Sequence, residues 1–184
     1  CEIGGGYGGL ASKIKSNIKG AKIIMLDLPE VNAFQTFYLS KVFNGAIVKG
    51  YKDLNEEGLD VLENKFDFLI LPGWAIDKLP KASVDAFINI RSMMEMSKEN
   101  LDFYFDLIQT SLKVGGIFTC FNRYQKTVGS FENKFMCYPF DNDWEVLMSQ
   151  SSLFQPHIHQ LILKRMKENY GSDFKERLGE IQQK

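Results

Sequence analysis

Apolar residues recur along the chain at two spacings, one typical of buried β-strands and the other typical of amphipathic helices. Short apolar runs predict strands at residues 1–3, 22–26, 66–71, 84–90 and 117–121, with a weaker case at residues 46–48. Helical spacing between these runs predicts helices at residues 10–18, 31–43 and 101–112. This alternation predicts an α/β, Rossmann-like fold, in which helices cover both faces of a doubly wound, mostly parallel sheet.

The last third of the chain departs from this alternation. Residues 145–149 and 157–165 both have strand-like patterns with little helical material between them, which predicts a C-terminal antiparallel hairpin. The charged end of the chain keeps one apolar helical face, formed by Phe174, Leu178 and Ile181. We therefore expect one domain over residues 1–166 and a charged amphipathic helix or tail over residues 167–184.

Composition narrows the class of protein. The 184 residues are 45% hydrophobic and 24% charged, as in ordinary globular domains. The 22 Lys and Arg nearly balance the 23 Asp and Glu, which argues against a nucleic-acid binder. No apolar run approaches the ~20 residues of a membrane span, and we expect a cytoplasmic protein. Three scattered cysteines and two histidines predict neither a disulfide framework nor a zinc site.

A glycine-rich loop follows the first predicted strand and carries the first functional signal. Gly4, Gly6 and Gly9 match G-x-G-x-x-G, while Gly4, Gly6 and Gly8 match G-x-G-x-G. Either spacing lets a strand turn sharply into a helix while its backbone lies close against a ligand. Asp27 ends the second predicted strand, where a carboxylate accepts hydrogen bonds from the hydroxyls of an adenosine ribose. A glycine-rich turn without any ligand is the alternative.

Glu2 separates the possible cofactors. A carboxylate two residues before the first glycine would repel a pyrophosphate but would suit a cationic amino-acid group. S-adenosylmethionine carries an ammonium and a sulfonium and no phosphate, so it fits this position. Packing against its adenine ring would fall to Pro72, Gly73 or Trp74, after the strand at 66–71. No metal is predicted, because Asp141 and Asp143 fit a simple turn equally well.

Two segments resemble the motifs of class I SAM-dependent methyltransferases. Residues 2–8 (EIGGGYG) look like motif I of that family, and residues 26–30 (LDLPE) look like motif II. The resemblance implies S-adenosylmethionine as the cofactor. The cofactor-binding residues that we expect are Glu2, Gly4, Gly5, Gly6, Gly8, Asp27, Leu28, Trp74 and Asn89.

Three further segments are similar to the sugar O-methyltransferases of bacterial surface-polysaccharide clusters. These are residues 89–96 (NIRSMMEM), residues 122–124 (NRY) and residues 138–141 (YPFD), the last followed by Trp144. The resemblance covers nearly the whole chain and implies a sugar or glycan acceptor. The chain begins at Cys1 directly before the glycine loop, so we expect the start of the first strand, and any segment that covers the substrate, to lie upstream.

Methyl transfer to a hydroxyl needs alignment and a base for the departing proton. Glu95 is the first candidate base, and His157 or His159, placed by period two on one face of a predicted strand, is the second. Arg123 follows the strand at 117–121 and should line the same cleft. Structural roles remain open for each: Glu95 at a helix N-terminus, Arg123 in an ion pair and the histidines within a hairpin.

The function that these signals favour is SAM-dependent methylation of a sugar or glycan hydroxyl in polysaccharide biosynthesis. An NAD-dependent oxidoreductase is the enzymatic alternative, disfavoured by Glu2 and by the lack of a Tyr-x-x-x-Lys pair on a suitable helix. A non-catalytic cofactor-binding module of a larger glycan-assembly protein is the alternative from a different class. The expected partners are a small-molecule sugar or glycan acceptor and an upstream segment of the same parent protein.

Overall fold

The computed structural model describes residues 1–167 and 173–182, which fall into two compact units, Cys1–Pro80 and Lys81–Lys184. The helices are α1 (Gly9–Asn17), α2 (Pro29–Val42), α3 (Tyr51–Glu57), α4 (Asp60–Glu63), α5 (Lys98–Ser111) and α6 (Phe174–Gln182). The strands are β1 (Glu2–Ile3), β2 (Ile23–Asp27), β3 (Val48–Gly50), β4 (Phe68–Pro72), β5 (Val84–Ile90), β6 (Leu112–Arg123), β7 (Gln125–Val128), β8 (Phe131–Lys134), β9 (Trp144–Ser151) and β10 (Ile158–Arg165).

The first unit contains four parallel strands in the order β3-β4-β2-β1. Helices α1 and α2 supply residues to a buried apolar cluster against the strands, formed by Ala11, Ile23, Met25, Leu39, Phe68 and Ile70. Parallel strands end at the same edge of a sheet, so the segments after β1, β2, β3 and β4 share one edge of this unit. Functional residues that follow these four strands are therefore neighbours in space.

The second unit contains four strands in the order β5-β6-β10-β9. Strand β5 runs parallel to β6, and β10 is antiparallel to both β6 and β9. Strands β9 and β10 form the C-terminal antiparallel hairpin of this unit. The predicted α/β, Rossmann-like fold class is confirmed.

Two segments without a predicted element form secondary structure, and one strand is longer than predicted. Charged residues between 49 and 65 form helices α3 and α4. Strand β6 begins at Leu112, directly after α5, and its pairing with β5 is irregular where Ala86 lies opposite Ile117. Strands β7 and β8 form a separate two-stranded sheet around the turn at Gly129, whose φ is +60°. Both short strands consist mostly of polar residues, so no alternation of apolar and polar residues predicted this hairpin.

Helix α6 packs within the second unit through the apolar face predicted for the end of the chain. Phe174 and Leu178 are buried, and the ring centroid of Phe174 lies 5.1 Å from that of Phe140. Arg177 fixes the helix by donating to the carbonyl oxygens of Trp144 and Asn142, each at 2.7 Å. Among the described residues, no helix is long and apolar enough to cross a bilayer.

Candidate functional site

The glycine loop joins β1 to α1 in the first unit. Gly4, Gly6 and Gly8 have φ of +69°, +57° and +96°, so the observed backbone follows the G-x-G-x-G spacing. The Gly4 N–H donates to the Leu26 carbonyl at 2.8 Å, which fixes the loop to the end of β2. A Cβ built on Gly6 meets no atom within 4 Å, so the backbone at Gly6 faces open space. The loop thus has the exposed backbone that close ligand approach requires.

Asp27 lies beside this loop at the end of β2. Its Oδ2 accepts the Gly6 N–H at 3.0 Å and the Gln35 side-chain amide at 3.1 Å, and its Oδ1 accepts the Leu28 N–H at 2.9 Å. Burial raises the pKa of the Asp27 carboxyl above its ordinary value. Among the described residues Oδ1 accepts only the Leu28 N–H, so a lone pair is left for the hydroxyl of a ligand.

Gln35 orients both the loop and the acid, and sequence reasoning missed it. This residue is fully buried on α2, where its side-chain nitrogen donates to the Gly6 carbonyl at 2.8 Å as well as to Asp27. The Asn32 amide donates in turn to the Gln35 side-chain oxygen at 3.0 Å. A Gln placed among the apolar positions of a predicted helix was the available signal, since buried amides need partners.

Glu2 is the most unusual group of the first unit. Its side chain is 5% exposed, and its Oε2 has no hydrogen-bond partner among the described residues. Burial raises the pKa of Glu2 to about 7; the N-terminal ammonium at Cys1 is the main opposing influence, the Asp27 charge adds to the rise, and a hydrogen bond from the Ala11 N–H also opposes it. A Cβ on Gly5 would lie 2.7 Å from Oε2, so the glycine at this position lets the loop pack directly on the carboxylate. A buried carboxylate with an unpaired oxygen favours a cationic ligand.

Two aromatic side chains stand at the ends of β3 and β4. Trp74 follows β4 and is 59% exposed, and its ring lies 4.5 Å from that of Tyr51, at an interplanar angle of 73°. Tyr51 begins α3 directly after β3. It was not predicted as a site residue, because the strand pattern before it is weak. An exposed aromatic face at the ligand edge of the sheet is suited to packing against a planar base.

The first unit therefore brings together eight of the nine residues predicted to bind a cofactor. They lie in or directly after the last residues of β1, β2 and β4 and are Glu2, Gly4, Gly5, Gly6, Gly8, Asp27, Leu28 and Trp74. Leu28 is 66% exposed, as a residue that contacts a ligand from this edge would be.

The ninth residue, Asn89, is buried in the second unit. Its Oδ1 accepts the Asn122 side-chain amide at 2.8 Å and the Met93 N–H at 3.3 Å, and its Nδ2 donates to Ser92 Oγ at 2.5 Å. Asn122 Oδ1 accepts the Met94 N–H at 3.0 Å. These bonds fix the 3₁₀ turn Met93–Glu95 after β5. A contact between Asn89 and the cofactor stays a prediction.

The candidate base Glu95 lies on this turn. Its carboxylate forms an ion pair with Lys126 of β7 at 2.5 Å, and 58% of its side chain is exposed. Asn133 of β8 donates to the carbonyl oxygens of Met93 and Met96 at 2.9 and 3.1 Å, so the β7–β8 hairpin and the turn hold each other. Glu95 therefore lies exposed on a turn that hydrogen bonds from Asn133 fix, and Lys126 partly neutralises its charge.

The two histidines occupy different environments, and the expectation that they share a strand face is wrong. His157 is exposed in the turn before β10, which begins only at Ile158. His159 is buried on β10, with Nε2 at 3.0 Å from Ser149 Oγ and Nδ1 at 3.1 Å from the Tyr124 hydroxyl. Burial lowers the pKa of His159 to about 4, so its imidazole is neutral at physiological pH.

Arg123 and the two candidate turn acids complete the predicted residues. Arg123 ends β6, and its Nε is buried without a hydrogen-bond partner. Asp141 and Asp143 both face Arg165, whose guanidinium nitrogens lie 2.5 and 3.8 Å from their carboxylates. The carboxylates of Asp141 and Asp143 therefore bind the guanidinium group of Arg165.

Comparison with known proteins identifies the fold as that of methyltransferases. No family model matches the chain, and no curated protein matches it. A chain of a complex containing the Haloferax volcanii Trm112 methyltransferase activator aligns with a TM-score of 0.63 and 12% identity, over 92% of this chain and 82% of that one. At such identity the likeness concerns the fold alone.

Two further solved structures share the fold over part of their length. The mitomycin 7-O-methyltransferase MmcR aligns with a TM-score of 0.58 and 14% identity, over 89% of this chain and 48% of that one. The S-adenosylmethionine-dependent methyltransferase SibL aligns with a TM-score of 0.56 and 12% identity, over 90% of this chain and 50% of that one. The chain spans about half the length of these two proteins.

Proposed function

We propose that this chain transfers a methyl group from S-adenosylmethionine to a hydroxyl of a sugar or glycan. The observation that carries the cofactor assignment is the buried Glu2 carboxylate with an unpaired oxygen beside the glycine loop. S-adenosylmethionine has an ammonium for this carboxylate and ribose hydroxyls for Asp27. It carries no phosphate that Glu2 would repel, whereas NAD does, so the oxidoreductase alternative is disfavoured.

Each residue of the first unit then has a task in binding. Glu2 neutralises the ammonium, Asp27 accepts hydrogen bonds from the ribose, and Trp74 with Tyr51 packs against the adenine ring. The open backbone at Gly6 lets the ligand approach the loop closely. Bound S-adenosylmethionine supplies an electrophilic methyl group on its sulfonium. The free oxygen atoms of Glu2 and Asp27 match the ammonium and the ribose hydroxyls of that molecule.

The acceptor side rests on the resemblance to sugar O-methyltransferases and on residues of the second unit. In the transfer the carbon–sulfur bond breaks, a carbon–oxygen bond forms, and the hydroxyl proton leaves to a base. We assign that proton to Glu95, whose carboxylate is exposed and held in place by Lys126. Arg123 and His157 are candidates for contacting the acceptor. The resemblance also supports a cytoplasmic role in surface-polysaccharide biosynthesis.

Calorimetric titration of S-adenosylhomocysteine, and separately of NAD, into the chain tests the cofactor assignment. Micromolar binding of S-adenosylhomocysteine alone is the expected result. Binding of NAD instead, or of neither compound, would contradict it; the latter outcome would favour a non-catalytic module.

The base is tested by turnover with a panel of sugar acceptors. Glu95→Gln should lower kcat about 100-fold or more, because general base catalysis contributes about 10²–10⁴ in rate. Glu99→Gln is the matched control, since this exposed acid lies four residues further along the chain, in the first turn of α5. Equal turnover in both variants would remove Glu95 as the base.

A further inference from the structure

Two arginines lie at neighbouring strand ends in the second unit. Arg91 directly follows β5, and its N–H donates to the Phe121 carbonyl of β6 at 2.8 Å. Arg123 ends β6 two residues beyond Phe121. Adjacent strands are about 4.8 Å apart, which is less than the length of an arginine side chain, so both guanidinium groups can reach one ligand at this edge.

Neither arginine is neutralised within the described residues. The chain has four arginines, and the other two are satisfied: Arg165 by Asp141 and Asp143, and Arg177 by two carbonyl oxygens. Arg91 and Arg123, in contrast, have no carboxylate within 4.0 Å and no side-chain hydrogen bond to any described residue. Arg91 is exposed.

Arg123 has hydrogen-bond donors that no described residue uses. Its Nε is enclosed with no acceptor, and the side chain as a whole is only partly buried, so its terminal nitrogens are the ones that reach solvent. The enclosed Nε–H is costly, because a buried donor without an acceptor is left unmatched. An anion supplied from outside would satisfy the terminal nitrogens in a bidentate manner.

Nearby charges do not relieve this excess of positive charge. Glu95, which follows Arg91 by four residues, is paired with Lys126 at 2.5 Å. Arg91 itself has a φ of +67°, a strained conformation for a non-glycine residue that is concentrated at functional sites. Both observations favour a ligand-binding role for the exposed arginine.

We propose that Arg91 and Arg123 form a recognition site for an anionic group of the acceptor, a phosphate or a carboxylate. The anion binds the terminal nitrogens of Arg123, and Arg91 closes over it from the neighbouring strand end. Its assignment to the acceptor rests on the proposed function. The substrate class then narrows to sugars that carry a phosphate or an acid group, and neutral sugars become poor substrates.

The test is an NMR titration of the arginine Nε–Hε signals in the full chain. Inorganic phosphate and acetate are added separately, with and without saturating S-adenosylhomocysteine. We expect a saturable shift of the Arg123 signal and unchanged Arg165 and Arg177 signals, which serve as internal controls. The anion that shifts the Arg123 signal at the lower concentration shows whether the anionic group of the acceptor is a phosphate or a carboxylate.

Substitutions of the two arginines test the contribution of each to anion binding. Arg91→Gln should weaken anion binding about tenfold, the effect of losing one charge-assisted contact. Followed through the Arg91 signal, Arg123→Lys should keep some affinity, while Arg123→Gln should abolish the anion-induced shift. Lys113→Gln is the control, because it removes a surface cation that is already paired with Asp85. An equal loss in the Lys113 variant would mean that only net charge matters and would overturn the site.

Two other outcomes overturn the proposal. One is the absence of any Arg123 shift with either anion in the free chain. The other is an Arg123 shift caused by S-adenosylhomocysteine alone with no further response to anions, since the arginine would then bind the carboxylate of the cofactor. If calorimetry shows no binding of S-adenosylhomocysteine, the proposed function fails, and the titration of the free chain still decides on the anion site.

Discussion

Glu2→Gln is expected to make the ligand-free chain more stable and its cofactor binding weaker. Glutamine has the same shape, so the packing of Gly5 on this side chain is kept. The side-chain oxygen that accepts the Ala11 N–H is also kept. What the substitution removes is a negative charge on a side chain that is only 5% exposed. The variant therefore separates the cost of burying the charge from the benefit that the charge gives to binding.

The magnitude follows from the pKa of Glu2, which burial raises from 4.5 to about 7. Because the folded chain holds this proton more tightly than the unfolded chain, the free energy of unfolding falls as pH rises between these two values. The fall amounts to about 3 kcal/mol and is complete above about pH 7. We expect Glu2→Gln to be more stable than the wild type by up to about 3 kcal/mol at pH 8, and about equal to it at pH 4.

Urea unfolding at both pH values measures this difference. Glu56→Gln is the control, because that acid is 64% exposed beside Lys52 and its loss should change stability by less than about 0.5 kcal/mol. Calorimetry should show S-adenosylhomocysteine binding weakened about 10- to 100-fold at pH 8 in Glu2→Gln. A variant that is less stable than the wild type at pH 8, or that binds the ligand equally well, would refute the reasoning.

Four other substitutions give distinct expected results. Gly5→Ala places a Cβ 2.7 Å from the Glu2 carboxylate, so S-adenosylhomocysteine binding should fall at least about tenfold by calorimetry. Trp74→Ala should lower the same affinity about tenfold with little change in urea unfolding, unlike the 95% exposed Phe154, whose replacement by Ala should change neither. His159 contributes stability that is present above pH 6.5 and lost as pH falls towards about 4; the wild type should therefore lose about 3 kcal/mol more than His159→Gln over this range in urea unfolding. Asn122→Leu leaves the Met94 N–H without its acceptor and should cost about 2–4 kcal/mol in the same assay.

The sequence predicted the fold and most of the site in the first unit because the signals there are local. A glycine loop after a strand and an acid after the next strand specify backbone geometry over a few residues. Helix α2 shows where this logic fails. Phe34 is one of the apolar residues whose helical spacing predicts this helix, yet it is 67% exposed, while Gln35 is fully buried. The hydrogen bonds of Gln35 to Gly6 and Asp27 turn the helix so that an amide replaces an apolar contact.

The second unit was harder to predict because its polar residues act across long separations in the sequence. Asn89 and Asn122 are 33 residues apart, and Asn133 contacts a turn 40 residues before it. A single sequence gives no indication that such amides will meet. The hydrogen bonds by which the oxygen and nitrogen of Asn89 fix a turn could therefore not be predicted.

Buried groups that lack a partner give the strongest argument for function in both units. Among the described residues, five buried side-chain atoms have no hydrogen-bond partner, and three of them belong to neutral groups of Asn32, Ser111 and Tyr138. The other two belong to the ionisable side chains of Glu2 and Arg123. A buried atom of an ionisable group without a partner is costlier than an unpaired hydroxyl or amide, so it is retained where a ligand of opposite charge can compensate for it. Glu2 thus favours an ammonium and Arg123 an anion, and a SAM-dependent enzyme acting on an acidic sugar would meet both requirements.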